Sequence, residues 1–329
     1  MMKVTMKKYI LLLLLLAFTT IKSLAQQTIQ LSQYLFNGLA VNPAYAGYKD
    51  NWTINASSRL QWAGVDGAPI TNTLSVDGIT DPENKNVALG LLITNDRLGP
   101  ENNSSVYANY SYRIRLNNED SERLCFGVGV GAILYNIDGT KFNNSDSSDP
   151  TISAAIQNKL APDFRAGVYF YTPSFYVGVS GLNLIPNAYP DPNSVFIEET
   201  RTYYLTAGVM VPISPVIDWK PSFLIKEDFK GPTNVNVATN FLFSDVLWAG
   251  ASYSSAVPIF NKPNLQSDLQ RMDAITAMVG VNITPLFRFG YSYDFGSSKI
   301  PGYPVASHEI SLTYSFARAK GRILSPRYF

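Results

Sequence analysis

Only one cysteine, Cys125, and one histidine, His308, occur in 329 residues. A lone cysteine excludes an internal disulfide framework, and a lone histidine leaves no histidine-based metal site. Charged residues make up only 16% of the chain. After the first 25 residues no apolar run approaches the ~20 residues that a spanning helix needs, so a helical membrane protein is not expected. No basic excess points to nucleic acid.

The chain begins MMKVTMKKYILLLLLLAFTTIKSLAQQ, with lysines in front, an apolar run from Tyr9 to Phe18, and Ser23-Leu24-Ala25 fitting a small-x-small cleavage site. We read residues 1–25 as a removed signal peptide, with the mature chain starting near Gln26. Gln26 is not cysteine, so no lipoprotein is expected. Loss of Lys3, Lys7, Lys8 and Lys22, with no acidic residue, takes the formal charge from +1 to −3.

Aromatics, by contrast, are abundant, with 20 Tyr and 18 Phe, and apolar residues recur at every second position. Trp52, Ile54, Ala56, Ser58, Leu60 and Trp62 oppose Thr53, Asn55, Ser57, Arg59 and Gln61. The same alternation runs through 106–115, 124–134, 287–295 and 308–316. It is weaker near 69–77, 86–94, 162–171, 174–184, 200–211, 216–227, 233–243, 246–254 and 272–283. About fourteen strands result, an even number, as bacterial single-chain barrels require. Turns at 172–174, 212–215, 244–245 and 284–285 are short and fall on one side, the periplasmic one. Long segments at 136–161, 185–199, 255–271 and 296–306 fall on the other, although the turns at 78–85 and 117–122 are somewhat longer. The expected fold is therefore all-β: an antiparallel transmembrane outer-membrane β-barrel of about 14 strands over residues 52–317. Trp52 and Trp62, about 33 Å apart along a strand, span about 25 Å when tilted, the height of a barrel's apolar band, and are candidates for its two aromatic girdles.

Residues 26–51 precede the first strand and include LSQYLFNGLA, too apolar to lie free in the periplasm. Asn42-Pro43 signals a helix start or a rigid turn. The segment is expected either to fold into the lumen as a plug or to dock on the rim as a periplasmic arm. Asn42, Pro43, Ala44 and Gly47 are its plug candidates. Gly127, Gly129 and Gly131 face inward by phase, where small residues let a plug or ligand approach the wall, and barrel curvature explains that row equally well.

Catalysis finds little support. His308 shares the phase of Ile310 and Phe316, toward lipid or the girdle, away from any nucleophile. Cys125 reads as a small wall residue. The loop DGTKFNNSDSSDP (138–150) lacks calcium-loop spacing and reads as solvated. The tail after residue 317 carries Arg318, Lys320, Arg322, Arg327 and Phe329, candidates for docking in the periplasm. No catalytic set, cofactor or metal is expected.

LSQYLFNGLAVNPAYAGY (31–48), SSRLQWAGVDGAPITNTLSVDG (57–78), SHEISLTYSF (307–316) and PRYF (326–329) resemble the PorP/SprF family of type IX secretion outer-membrane proteins of Bacteroidota. The resemblance covers essentially the whole mature chain, and the N-terminal block is its most specific part. It implies a non-enzymatic fourteen-stranded barrel working beside the type IX secretion machinery. It further implies binding of an exported surface protein or adhesin through its C-terminal sorting region, for delivery or retention, with gliding motility a use in some members. The loops near 136–161 and 255–271 are candidate partner contacts. The alternative is a FadL-like channel for hydrophobic compounds or a passive porin, since an Asn-Pro-Ala signature in a lumen segment is also similar to the long-chain fatty-acid transporters.

Overall fold

In the computed structural model, residues 32–141, 156–185, 199–260, 262, 274–296 and 306–316 are described. The strands are β1 (Thr53–Leu60), β2 (Ile70–Ile79), β3 (Val87–Leu98), β4 (Glu101–Arg115), β5 (Arg123–Asp138), β6 (Ile156–Tyr171) and β7 (Phe175–Leu182). They continue with β8 (Thr202–Val209), β9 (Val211–Ser214), β10 (Ile217–Glu227), β11 (Thr233–Phe243), β12 (Leu247–Val257), β13 (Ala274–Thr284), β14 (Phe287–Gly296) and β15 (Ala306–Ser315). Neighbours in sequence pair antiparallel around the sheet, and β15 returns to β1, with Thr53 opposite Ser315 and Leu60 opposite His308. The sheet closes on itself as a barrel of fourteen strands, because β8 and β9 both lie along β10 and share one place in the wall.

Burial is inverted relative to a soluble protein. Along β1 the polar residues Thr53, Asn55, Ser57 and Arg59 are buried while Leu60 is exposed. On β5, Phe126, Val128 and Val130 face out and Cys125 and Gly127 face in. Apolar side chains outside and polar ones inside suit a wall with lipid against its outer face.

Two details depart from the alternation read along the chain. Residues 212–214, expected in a turn, instead form β9, and the connection to β10 is Pro215 and Val216. The strand breaks at Met210, whose N–H donates to Ser174 O at 2.6 Å. The outer segment expected at 136–161 is shorter, because β5 runs on to Asp138 and β6 begins at Ile156, paired across the whole hairpin. Cross-strand backbone bonds carry these ends beyond the point where strong alternation fades. The turns at 172–174, 244–246 and 285–286 are short and lie at one end of the barrel.

Candidate functional site

Residues 32–51 run inside the wall. A 3-10 turn (Tyr34–Phe36), a single α-turn (Gly38–Val41) and a second 3-10 turn (Pro43–Tyr45) follow one another, and most of their side chains are buried. Asn42 caps the last turn, its Oδ1 accepting from Ala44 N at 2.9 Å, with Pro43 at the first position, where its missing N–H costs nothing. The same side chain then grips the wall, its Nδ2 donating to Val168 O at 3.0 Å and Val179 O at 3.3 Å. It fits between Gly167 of β6, where a Cβ would collide with its Oδ1, and Gly178 of β7, where a Cβ would strike Tyr169 first and crowd its Nδ2.

Ala44 rests on Gly127, and a Cβ at that glycine would run into the Ala44 backbone. Ala44 O accepts from Ser111 Oγ at 3.2 Å. Gly47 has φ 72°, open to glycine without strain, and a Cβ there would lie 2.5 Å from that of Ala88. Its N–H donates to Asp77 Oδ2 at 2.8 Å. The other two glycines of the β5 row meet the wall itself: Gly129 lies against Asn109, and Gly131 against Val106 and Tyr107.

Further anchors were not singled out in the sequence. Arg165 of β6 donates to Ala40 O at 2.7 Å and Leu39 O at 3.3 Å. Ser180 of β7 donates to Val41 O, Asn55 of β1 to Phe36 O, and Asn37 to Thr73 of β2. Tyr34 bonds Ser222 of β10 at 2.9 Å. The segment thus touches the wall on opposite sides of the barrel. In most of these bonds the segment gives a backbone carbonyl and the wall a side chain, a pairing that no residue pattern in the segment reveals.

Charge closes both ends of this segment. Near its start, Ser32 meets Arg59, which pairs with Asp294 at 2.6 Å and Glu309 at 3.4 Å, all three buried. Near its end, Asp50 pairs with the buried Arg113 at 2.7 Å and with Lys85 at 3.3 Å. Lys85 also meets Asp120 at 3.0 Å, and Asp120 binds Arg123. This second network ties the segment to the β2–β3 and β4–β5 turns. Arg59 belongs to the polar row of β1 and Arg113 to that of β4; which carboxylate each meets is fixed only in three dimensions. Burial pushes the Tyr45 phenol well up, and the Lys49 ammonium is pushed down to about 8, first by burial and then by the Arg288 charge.

Trp52 is exposed just before β1, its carbonyl accepting from Phe316 N–H at 2.8 Å. Trp62 lies two residues past the end of β1 at φ 49°, so the chain has already turned there. His308 bonds Tyr291 through Nδ1 at 2.8 Å and stacks edge-on with Tyr293. Cys125 is buried in the inward row. Among the described residues no group of three or more His, Cys, Asp and Glu is placed to hold a metal ion. Residues 1–25, most of the 138–150 loop, and Arg318, Lys320, Arg322, Arg327 and Phe329 lie outside the described residues.

The family model for the type IX secretion system membrane protein PorP/SprF matches residues 23–314. The chain belongs to the PorP/SprF family. This PorP/SprF protein is a membrane component of type IX secretion with an outer-membrane barrel. Among solved structures it is similar to the CymD monoaromatic hydrocarbon channel, at 13% identity and TM-score 0.53, over 87% of this chain and 94% of that one. It also aligns with a Pseudomonas aeruginosa FadL homologue, at 12% identity and TM-score 0.47, over 86% and 94% of the two chains. Acinetobacter baumannii Omp33 aligns at 12% identity and TM-score 0.43, over 82% and 100%. The CymD likeness concerns the fold of the PorP/SprF barrel alone. A search of curated proteins found no match.

Proposed function

We propose that this PorP/SprF protein works without catalysis as a receiving and holding station for an exported protein. The partner is a surface protein or adhesin, gripped through its C-terminal sorting region at the barrel's outer mouth and loops and passed to or kept at the cell surface. Gliding motility is one process such retention serves. In this reading residues 32–51 are a plug.

The observation that supports it is the seat of that segment. It is pinned by Asn42 to β6 and β7, by Ala44 to β4 and β5, and by Ser32 to β1, β14 and β15. A lumen crossed by such anchors favours a binding platform over a passage, and leaves the rims and outer loops for contact. Loop clasping, or addition of a partner strand to the wall, is the physical mode available there.

The test is mass spectrometry of the tagged protein purified in mild detergent from its own outer membrane. A stoichiometric exported protein with a C-terminal sorting domain, or secretion-machine subunits, is the expected result. A solitary barrel carrying fatty acid or another apolar compound would overturn the proposal in favour of a FadL-like channel. The 318–329 tail is proposed as the periplasmic docking handle; its deletion should cost the secretion-machine subunits and spare the exported partner.

A further inference from the structure

The lumen wall facing the Asp50 network is built differently. Lys220 on β10, Asn240 on β11, Trp248 on β12 and Arg288 on β14 are all buried, and all stand within a few residues of the short turns. Register places Lys220 opposite Asn240. The Lys220 ammonium lies 4.4 Å from the centre of the Trp248 ring, and Trp248 meets Phe36 edge-on at 5.3 Å. The Arg288 guanidinium carbon lies 3.3 Å over the Phe36 ring. These contacts join Lys220, Trp248 and Arg288 through Phe36 of the lumenal segment, and Asn240 stands beside Lys220 in register.

The patch offers donors. Arg288 Nε and Nη1, Asn240 Nδ2 and Trp248 Nε1 are buried without a hydrogen-bond partner. Arg288 Nη2 reaches only the hydroxyls of Ser311, at 3.4 Å, and Thr313, at 3.5 Å. The other buried arginines of the lumen are better served. Arg59, Arg113 and Arg123 have carboxylates, and Arg165 has two carbonyls. Among the described residues no ion pair joins Arg288 to a carboxylate. Lys49, half-buried, adds a further positive charge that Arg288 already feels. Buried donors and charges normally have partners, and cation–π contact with Phe36 offsets only part of what Arg288 lacks.

We propose that Arg288, Asn240, Trp248 and Lys220 form a binding site for a small oxyanion, a carboxylate or a phosphate, entered when Phe36 moves off Arg288. The guanidinium fork matches two oxygens of such a group, and the indole and amide N–H groups supply donors for the rest. Neutral or cationic ligands would leave the charge unmet. Phe36 is the last residue of a three-residue 3-10 turn, and its ring can swing off Arg288 by side-chain rotation while its carbonyl keeps the bond from Asn55. The site stands independently of the exported partner and lies toward the short-turn end of the lumen.

The test uses the full chain folded in detergent, titrated with inorganic phosphate and with acetate at constant ionic strength, and followed by calorimetry. Saturable binding is expected, and the tighter of the two anions identifies the oxyanion class. Arg288→Gln should weaken binding roughly tenfold or more, and Phe36→Ala should strengthen it severalfold. Trp248→Phe, which keeps the ring and removes the N–H, should weaken it severalfold and covers the case in which Arg288→Gln does not fold. Arg97→Gln, at an exposed position on β3, should change nothing. No saturable binding in either the wild type or Phe36→Ala, or equal affinities in the wild type, Arg288→Gln and Trp248→Phe, would overturn the proposal.

Discussion

The side-chain amide of Asn42 occupies the space in which a Cβ of Gly167 would stand. The contact spans 125 positions in sequence and joins the lumenal segment to β6. Gly167→Ala should therefore push Asn42 off the wall, and Asn42→Ala should lose both carbonyl bonds, each change costing about 1–3 kcal/mol. Hydrogen exchange is the measurement. Amides of residues 38–46 should lose protection while those of β6 and β7 keep theirs; unchanged protection at Ala44 would refute the anchoring role.

Ala44 against Gly127 carries the plug proposal. A bulky side chain in the Gly127→Leu variant has no room while the Ala44 backbone rests there. Expelling residues 38–48 should raise single-channel conductance severalfold over the wild type in planar bilayers. Equal conductance in a correctly folded variant would mean that the segment does not limit passage.

Asp50 and Arg113 test the latch at the short-turn end. Arg113 is fully buried, and besides Asp50 its Nη2 meets only the Tyr171 hydroxyl, at 2.6 Å. Removing the carboxylate strands a buried cation, so Asp50→Asn should destabilise by about 3 kcal/mol. A double-mutant cycle with Arg113→Gln, read from urea unfolding in detergent, should give a coupling of about 1–3 kcal/mol. Additive effects would show that the pair does not act as a unit.

Lys49 makes stability depend on pH in a defined direction. Its ammonium falls from 10.5 to about 8 in the fold. Between these values the unfolded chain holds the proton and the folded one does not, so this group makes stability rise with pH from about 8 to 10.5 and level off above. Below about 8 both states are charged and the penalty is fully present. Lys49→Met should flatten the slope in that window, as followed by thermal unfolding; an unchanged slope would assign it to other groups.

The wall was legible because its code is local. On Val106–Arg115 and Phe287–Phe295 every second side chain meets lipid, so the apolar row reads directly along the chain. The split at Met210 and the extra length of β5 and β6 were not legible, since both rest on backbone pairing with a neighbouring strand, to which side-chain chemistry is nearly blind. Asn42-Pro43-Ala44 announced a turn, and Gly127 fitted a close approach and barrel curvature equally well. Nothing local linked the two, and Gly167 and Gly178 carried no mark to distinguish them from other strand glycines.

What the sequence by itself determined is the class of object: a dyad repeat with polar residues on the lumen side, short turns at one end, and family blocks over most of its length. Strand periodicity and lipid contact are properties of neighbouring residues, so they survive in one dimension. Only the tertiary structure decided where residues 32–51 sit, that Arg59 meets Asp294 and Glu309 while Arg113 meets Asp50, and that Arg288 meets no carboxylate among the described residues. Those outcomes depend on the register at which fourteen strands close. A slip of one residue in a strand's pairing would turn that strand's inward side chains toward lipid.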